Sequence, residues 1–231
     1  MEFTKALIKG KLIKRYKRFF TDVKIGKEIV TAHCPNTGSM KGLLDEGNEV
    51  YVSKNDDPKR KLKYTLEIIK VKKNLVGVNT HFANKIAFHG LSNNLVKEVA
   101  NNDSIKPEVF FDKETRFDFL VEKNKQKIFV EVKNVTLFRE EKTAEFPDSV
   151  TVRGSKHLKA LTEAIKQGYK SYLLFLIQIE GVENFKIAKD IDKDYYNNYL
   201  FAKNAGVIFL AYRCKINSKE IKIEKKLKIV L

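Results

Sequence analysis

The chain has 231 residues, with 45 Lys and Arg against 29 Asp and Glu, a net charge of +16. With 43% hydrophobic and 11% aromatic residues it can bury a substantial core, which excludes wholesale disorder despite the charge. The longest apolar run, residues 172–177, is far short of the roughly 20 residues of a membrane-spanning helix. No apolar leader follows Met1, and Cys34 and Cys214 are too few for a disulfide framework, so a cytoplasmic protein without membrane contacts is expected. Excess positive charge favours polyanions as partners, because neutralised phosphates release counterions. The excess is denser at the N-terminus: residues 1–85 carry +10 and residues 86–231 carry +6.

The first 80 residues read as short strands. Residues 3–8 and 11–13 flank Gly10, and strands at 22–25, 28–32, 49–52, 64–69 and 75–78 follow, with a loop at Asn55-Asp56-Asp57-Pro58. Alternation with evenly spaced turn residues predicts a small β-barrel or sandwich. Beyond residue 85 the pattern changes. Residues 91–100 set Leu91, Leu95, Val96 and Val99 on one helical face, and that helix would carry Glu98. Strands at 116–121 and 128–135, a helix at 152–167 closed by Gly168, a buried strand at 172–179, a helix at 195–204 closed by Gly206 and a strand at 207–212 come next. The tail alternates through Ile221, Ile223, Leu227 and Ile229, as an edge strand does. Two closely packed units, 1–85 and 86–231, are expected.

The stretch richest in chemistry is the hairpin at 116–133. Phe117, Phe119 and Val121 alternate on its first strand, and Ile128, Val130 and Val132 on its second. If Val121 faces Ile128, Phe119 faces Val130, Phe117 faces Val132 and Asp118 lies directly opposite Glu131. Lys133 shares that face, two residues on. Opposed carboxylates repel, and a divalent cation between them removes the repulsion; hard oxygen ligands suit Mg²⁺ or Mn²⁺. A neighbouring lysine can hold a nucleophilic water or offset phosphate charge, so metal, water and lysine together suit phosphodiester hydrolysis. The α-β-β-α-β order around the hairpin suits a PD-(D/E)xK nuclease core. The strand after the second helix carries Gln178, a polar residue in an apolar run, at a place where such nucleases often keep a helper residue.

Several segments carry a wider resemblance: Arg15-Tyr16-Lys17-Arg18-Phe19, His33-Cys34-Pro35-Asn36-Thr37-Gly38-Ser39-Met40, Asp57-Pro58-Lys59-Arg60-Lys61, Val78-Asn79-Thr80, Arg116-Phe117-Asp118-Phe119, Glu131-Val132-Lys133-Asn134-Val135-Thr136-Leu137 and residues 146–158. Over essentially its whole length the sequence resembles the sugar fermentation stimulation protein (SfsA) family. The resemblance implies an α+β protein of two domains, an N-terminal OB-fold β-barrel and a C-terminal α/β PD-(D/E)xK nuclease-like domain. It also implies DNA binding and a traditional label as a regulator of sugar metabolism. The family's acid positions fall on Asp118 and Glu131 and its lysine on Lys133. One departure is noted at Ser149-Val150-Thr151-Val152, where the family usually has Ala and Glu at positions 149 and 152.

The site expected is therefore Asp118 and Glu131 as Mg²⁺ (or Mn²⁺) ligands, with the Val132 carbonyl and Glu98 as further ligands and Lys133 positioning the attacking water. Arg15, Lys17 and Arg18, interleaved with Tyr16 and Phe19, are the expected phosphate contacts of the barrel. Arg116, Arg153, Lys156 and His157 extend that surface, the last three near a helix N-terminus that favours anions. Asn36, Thr37 and Ser39 could offer amides and hydroxyls to phosphate, or form a turn that satisfies its own backbone. The expected partner is DNA, single- or double-stranded, with RNA as an alternative. The rival reading is a non-catalytic DNA-binding regulator of sugar metabolism genes. Oligomeric state is open, a homodimer being simply the commonest assembly.

Overall fold

The computed structural model describes residues 1–230; Leu231, the end of the second expected unit, lies outside them. In chain order the elements are β1 (Ile8–Tyr16), β2 (Phe20–Ile25), β3 (Glu28–His33), β4 (Glu49–Lys54), β5 (Tyr64–Val71), β6 (Asn74–Gly77), α1 (Ala83–Ser92), β7 (Ser104–Phe110), β8 (Arg116–Lys123), β9 (Gln126–Val135), β10 (Leu137–Glu140), β11 (Thr143–Phe146), α2 (Val152–Lys166), β12 (Lys170–Ile177), β13 (Asn184–Ile187), α3 (Lys193–Asn204), β14 (Ile208–Ile216), β15 (Ile221–Lys226) and β16 (Lys228–Val230). No helix among the described residues is long and apolar enough to cross a membrane.

β1 to β5 close into a five-stranded barrel. β1 pairs with β2 and β4, β2 with β3, β4 with β5, and a parallel pairing of β3 with β5 shuts the ring. This is OB-fold connectivity. Where two short strands were expected around Gly10, one strand runs through it. A Cβ at Gly10 would come within 2.5 Å of Val23 Cγ1, so only glycine lets β2 approach this closely. Residues 1–7, expected to begin the barrel, run between it and the second unit instead, with Lys5 Nζ 2.9 Å from Asp56 Oδ2 of the barrel. Phe3 N–H donates to the Lys219 carbonyl, and Phe3 and Leu7 pack on the second unit's apolar cluster.

The second unit is built on a six-stranded sheet, ordered β15-β14-β12-β9-β8-β7. Its central strands β9, β12 and β14 are parallel and buried on both faces. α1 covers one face, with Ile86, Ala87 and Leu91 against Val130, Val132 and Ile223. α2 and α3 cover the other, with Leu158, Leu161, Tyr195 and Tyr199 against Phe129, Leu173 and Phe175. α1 packs on β9 and β15 and contains residue 85, where the boundary between the units was expected. The helix expected over 91–100 is displaced. α1 ends at Ser92, Asn94 takes φ 57°, and a single 3₁₀ turn follows at Lys97–Val99.

A small sheet, β10-β11-β13-β16, joins the tail to the side of this unit. It carries a complete ion-pair network. Arg139 grips the fully buried Glu145 with two parallel bonds of 2.6 and 2.7 Å and reaches Asp190 at 2.6 Å, while Lys186 lies 3.5 Å from Glu145. The two units share one continuous apolar cluster. They are also joined backbone to backbone. Gly77 N–H donates to the Gln178 carbonyl and Glu180 N–H to that of Leu75, so β6 is bonded to the chain leaving β12.

Candidate functional site

The hairpin forms in the expected register, from Lys123↔Gln126 to Phe119↔Val130. The ladder stops there because Asp118 replaces the next backbone partner. Its Oδ2 accepts the Val132 N–H and its Oδ1 accepts Asn84 Nδ2 from α1, both at 2.7 Å. The strand turns over at this point. Phe119 stacks on Phe88 of α1, whereas Phe117 sits on the α2 side with its ring 4.9 Å from that of Phe129. The expected single face of Phe117, Phe119 and Val121, with Phe117 opposite Val132, is therefore broken at Asp118. Glu108, at the same level on β7, has φ 55°. A paired distortion in two adjacent strands leaves no trace in an alternation pattern.

Glu131 and Lys133 share the α2 face of β9, as expected. Glu131 is 3% exposed. Its Oε1 meets Lys133 Nζ at 2.8 Å and, closely, His157 Nδ1 from the second turn of α2; Lys133 Nζ is 3.3 Å from the same ring nitrogen. Its Oε2 is buried with no hydrogen-bond partner. Burial works to raise the Glu131 pKa, but the His157 hydrogen bond and the charges of Lys133 and His157 outweigh it and hold the carboxyl below its usual value. Asp118 goes the other way. Burial and the charge of Glu131 raise its pKa, and the bonds from Val132 and Asn84 recover only part of the cost. The site is a pair of carboxylates pushed apart in acidity, with an ammonium and an imidazole on one of them.

A divalent cation suits this donor set. The orphaned Glu131 Oε2 lacks a positive or donor partner, and a cation would relieve the desolvation that burdens Asp118. Among the described residues no three His, Cys, Asp or Glu side chains converge as a ligand cluster, so the remaining positions of such an ion would fall to the Val132 peptide and to water.

Glu98 does not join them. It lies in the 3₁₀ turn, where its carboxylate accepts the Tyr212 hydroxyl and pairs with Lys226, and its carbonyl faces Lys123 at the hairpin's far end from Asp118. The proposed third ligand is thus a structural tie, misassigned because its helix was placed too late. Gln178 is also elsewhere. It is fully buried in the seam between the units, donating from Nε2 to Asn134 Oδ1 and abutting Gly77.

The basic surface divides. Lys17 and Arg18 are exposed in the β1–β2 turn, both with positive φ, beside Phe19. Arg15 is already engaged: its guanidinium donates to the carbonyls of Arg18, Asn36 and Gly38. It stiffens the loop that was expected to meet phosphate. In that loop Asn36 Oδ1 takes the Gly38 N–H and Asp148 Oδ2 takes the Ser39 N–H, so those two amides are not free for an anion. The loop instead latches the barrel to the second unit. A Cβ at position 38 would lie 2.0 Å from Asp148 Oδ2 and displace the carboxylate that takes the Ser39 N–H. Thr37 stays exposed, and a cleft of about 330 Å³ opens between this loop, Arg18, Asn134 and Glu145. Arg116 pairs with Glu108, Lys156 with Glu114, and Arg153 lies exposed with Nε 3.4 Å from His157 Nε2. His157, expected on the phosphate-binding surface, faces Glu131 instead. Asn84 and Tyr195 were not anticipated. Tyr195 is fully buried against Gly154, one turn before His157, and its hydroxyl has no partner. Nothing in the sequence separates these two from ordinary helix residues.

Residues 13–78 match the SfsA N-terminal OB domain and residues 81–220 the Sugar fermentation stimulation protein RE domain. A Sugar fermentation stimulation protein homolog of Pelagibacter ubique (strain HTCC1062) is 91% identical over 230 residues, covering 100% of this chain and 99% of that protein. A homolog of the same description from Pseudoalteromonas atlantica is 43% identical over 236 residues, covering 100% of both. The structure of Pyrococcus furiosus SfsA in complex with Ca²⁺ superposes with a TM-score of 0.88 at 27% identity, covering 100% of this chain and 98% of that one. The barrel, the flanked sheet and these full-length matches agree: the chain belongs to the sugar fermentation stimulation protein family.

Proposed function

We propose that the protein is a nucleic-acid-binding phosphodiesterase that cuts DNA at Asp118, Glu131 and Lys133 with Mg²⁺ or Mn²⁺ bound. The observation that carries this is the state of Glu131, a buried carboxylate next to Lys133 and Asp118 with one oxygen left without a partner. Burying an unpartnered carboxylate oxygen is costly, and such groups concentrate at functional sites. That a relative of the same fold was solved in complex with Ca²⁺ supports a divalent ion here. Asp118 and Glu131 would hold the ion, with the Val132 peptide between them. A bound cation acidifies water and offsets charge on a phosphoryl oxygen. Lys133 supplies a near-buried ammonium that orients the attacking water, and His157 and Asn84 fix the two carboxylates from α2 and α1. Water oxygen bonds to phosphorus as the bond to the leaving sugar oxygen breaks, the attacking water giving up a proton to solvent and the leaving oxygen taking one from it. Lys17 and Arg18 on the barrel hold the backbone of the strand through phosphate charge.

The test is cleavage of labelled single- and double-stranded DNA and RNA by purified protein, with Mg²⁺, Mn²⁺ or EDTA, beside Lys133→Ala. Metal-dependent cleavage lost in the variant is expected. Binding of DNA without cleavage under every condition would overturn the enzyme and favour the non-catalytic regulator. Cleavage of RNA alone would replace the substrate.

A further inference from the structure

Two large apolar side chains flank Asp118 and are left open to solvent. Phe110, at the end of the edge strand β7, is 67% exposed. It pairs directly with Arg116, two residues before Asp118, and the Arg116 guanidinium lies over its ring at 5.8 Å from the centroid. On the other side is Phe88 of α1, 43% exposed. Phe88 lies one helical turn after Asn84, the residue that holds Asp118, and its inner face stacks on Phe119, the residue after Asp118. Val109 and Phe111 on either side of Phe110 turn inward to the α2-side cluster, so Phe110 is the outward member of an alternating strand that has no further neighbour.

We infer that Phe88 and Phe110 form a stacking platform for unpaired bases on the two sides of Asp118, so that the strand taken by this site is single-stranded. This rests on the nucleic-acid reading above and narrows it to a substrate class. A base in a duplex has both π faces covered by its neighbours, whereas an unpaired base presents them to an exposed ring. Charged residues of both signs surround the rings: Arg116 sits on Phe110 and pairs with Glu108, Lys113 is exposed in the following turn between Asp112 and Glu114, and Lys85 of α1 lies over Phe82. Exposed rings on a chain of net charge +16 complement a flexible polyanion with flat apolar bases. Against an acidic protein or a second copy of this chain, the same surface would offer only two isolated rings.

The experiment measures binding of fluorescently labelled oligo(dT) and of a duplex of equal length, in EDTA so that neither metal nor cleavage enters, for wild type, Phe110→Ala and Phe110→Trp. Phe110 is surface-exposed, so its truncation leaves the core intact; Phe88→Ala is a secondary variant because it uncovers Phe119. Phe110→Ala is expected to weaken oligo(dT) binding by about five- to 150-fold, with Phe110→Trp restoring it and duplex affinity and the salt dependence of both unchanged. Wild-type protein that binds oligo(dT) while Phe110→Ala binds it equally well would overturn the platform and leave the nucleic-acid reading standing. Equal losses on oligo(dT) and duplex would overturn the single-strand assignment. Wild-type protein that binds neither would overturn the nucleic-acid reading, and the platform with it.

Discussion

Glu145 and Glu131 are two buried glutamates in one domain, and their surroundings differ in completeness. Glu145 is fully buried and gripped on both oxygens by Arg139, with Lys186 behind. Glu131 is almost as buried, yet Lys133 and His157 both converge on Oε1 and leave Oε2 bare. In a protein interior charge is tolerated where hydrogen bonds satisfy it, and a missing bond costs far more than a present one contributes. The first carboxylate is a finished structural joint. The second is left incomplete in a way that suits something brought from solution.

The largest effect expected breaks the finished joint. Arg139→Ala should lower unfolding free energy by about 3 kcal/mol, because it strands the Glu145 charge in the interior; urea denaturation measures this, and a loss within error would remove the distinction between the two sites. Next, Glu131→Ala should lower Mn²⁺ affinity at least about 100-fold by calorimetry, since even outer partners of a metal ligand are worth 10–100-fold. DNA affinity at low salt should hold, and unchanged Mn²⁺ binding would dismiss the ligand assignment.

Acidity sharpens the comparison. Asp118 has a raised pKa, through burial first and then the Glu131 charge. Folding therefore favours its protonated form, and that stabilisation is present below the ordinary value of 3.8 and lost as pH rises through the folded value. Asp118→Asn should melt above wild type at neutral pH and together with it well below 3.8; a variant that melts lower at neutral pH would show Asp118 to be stabilising when ionised. The smallest effect concerns Tyr195, whose buried hydroxyl also lacks a partner. Tyr195→Phe should gain up to about 1 kcal/mol, and a loss of similar size would reveal a bond the hydroxyl makes in solution.

What could be read from the sequence was what local periodicity records. The register of the hairpin followed from Val121 and Ile128 across a polar turn, and Gly168 and Gly206 marked the ends of α2 and α3, each with φ well above zero. The helix before the hairpin was misplaced because Leu91, Leu95, Val96 and Val99 mimic a helical face. The true one sets Ala83, Ala87 and Gly90, too small to stand out, among its buried residues with only Ile86 and Leu91 as large ones. Carboxylates and lysine were legible because they lie within 16 positions of one another. The imidazole against Glu131, the amide on Asp118 and the engagement of Arg15 by the Asn36 loop are long-range contacts, which no spacing encodes.

The backbone bonds between β6 and the residues leaving β12, together with the apolar cluster that runs through both units, have a mechanical consequence. The Lys17–Arg18 turn and the Asp118–Glu131 pair are mounted on one frame without a hinge between them. Under the proposed function such a frame would act as a ruler: a strand held at the turn would meet the carboxylates at a set number of nucleotides, and a substrate too short to span the gap would touch one end or the other.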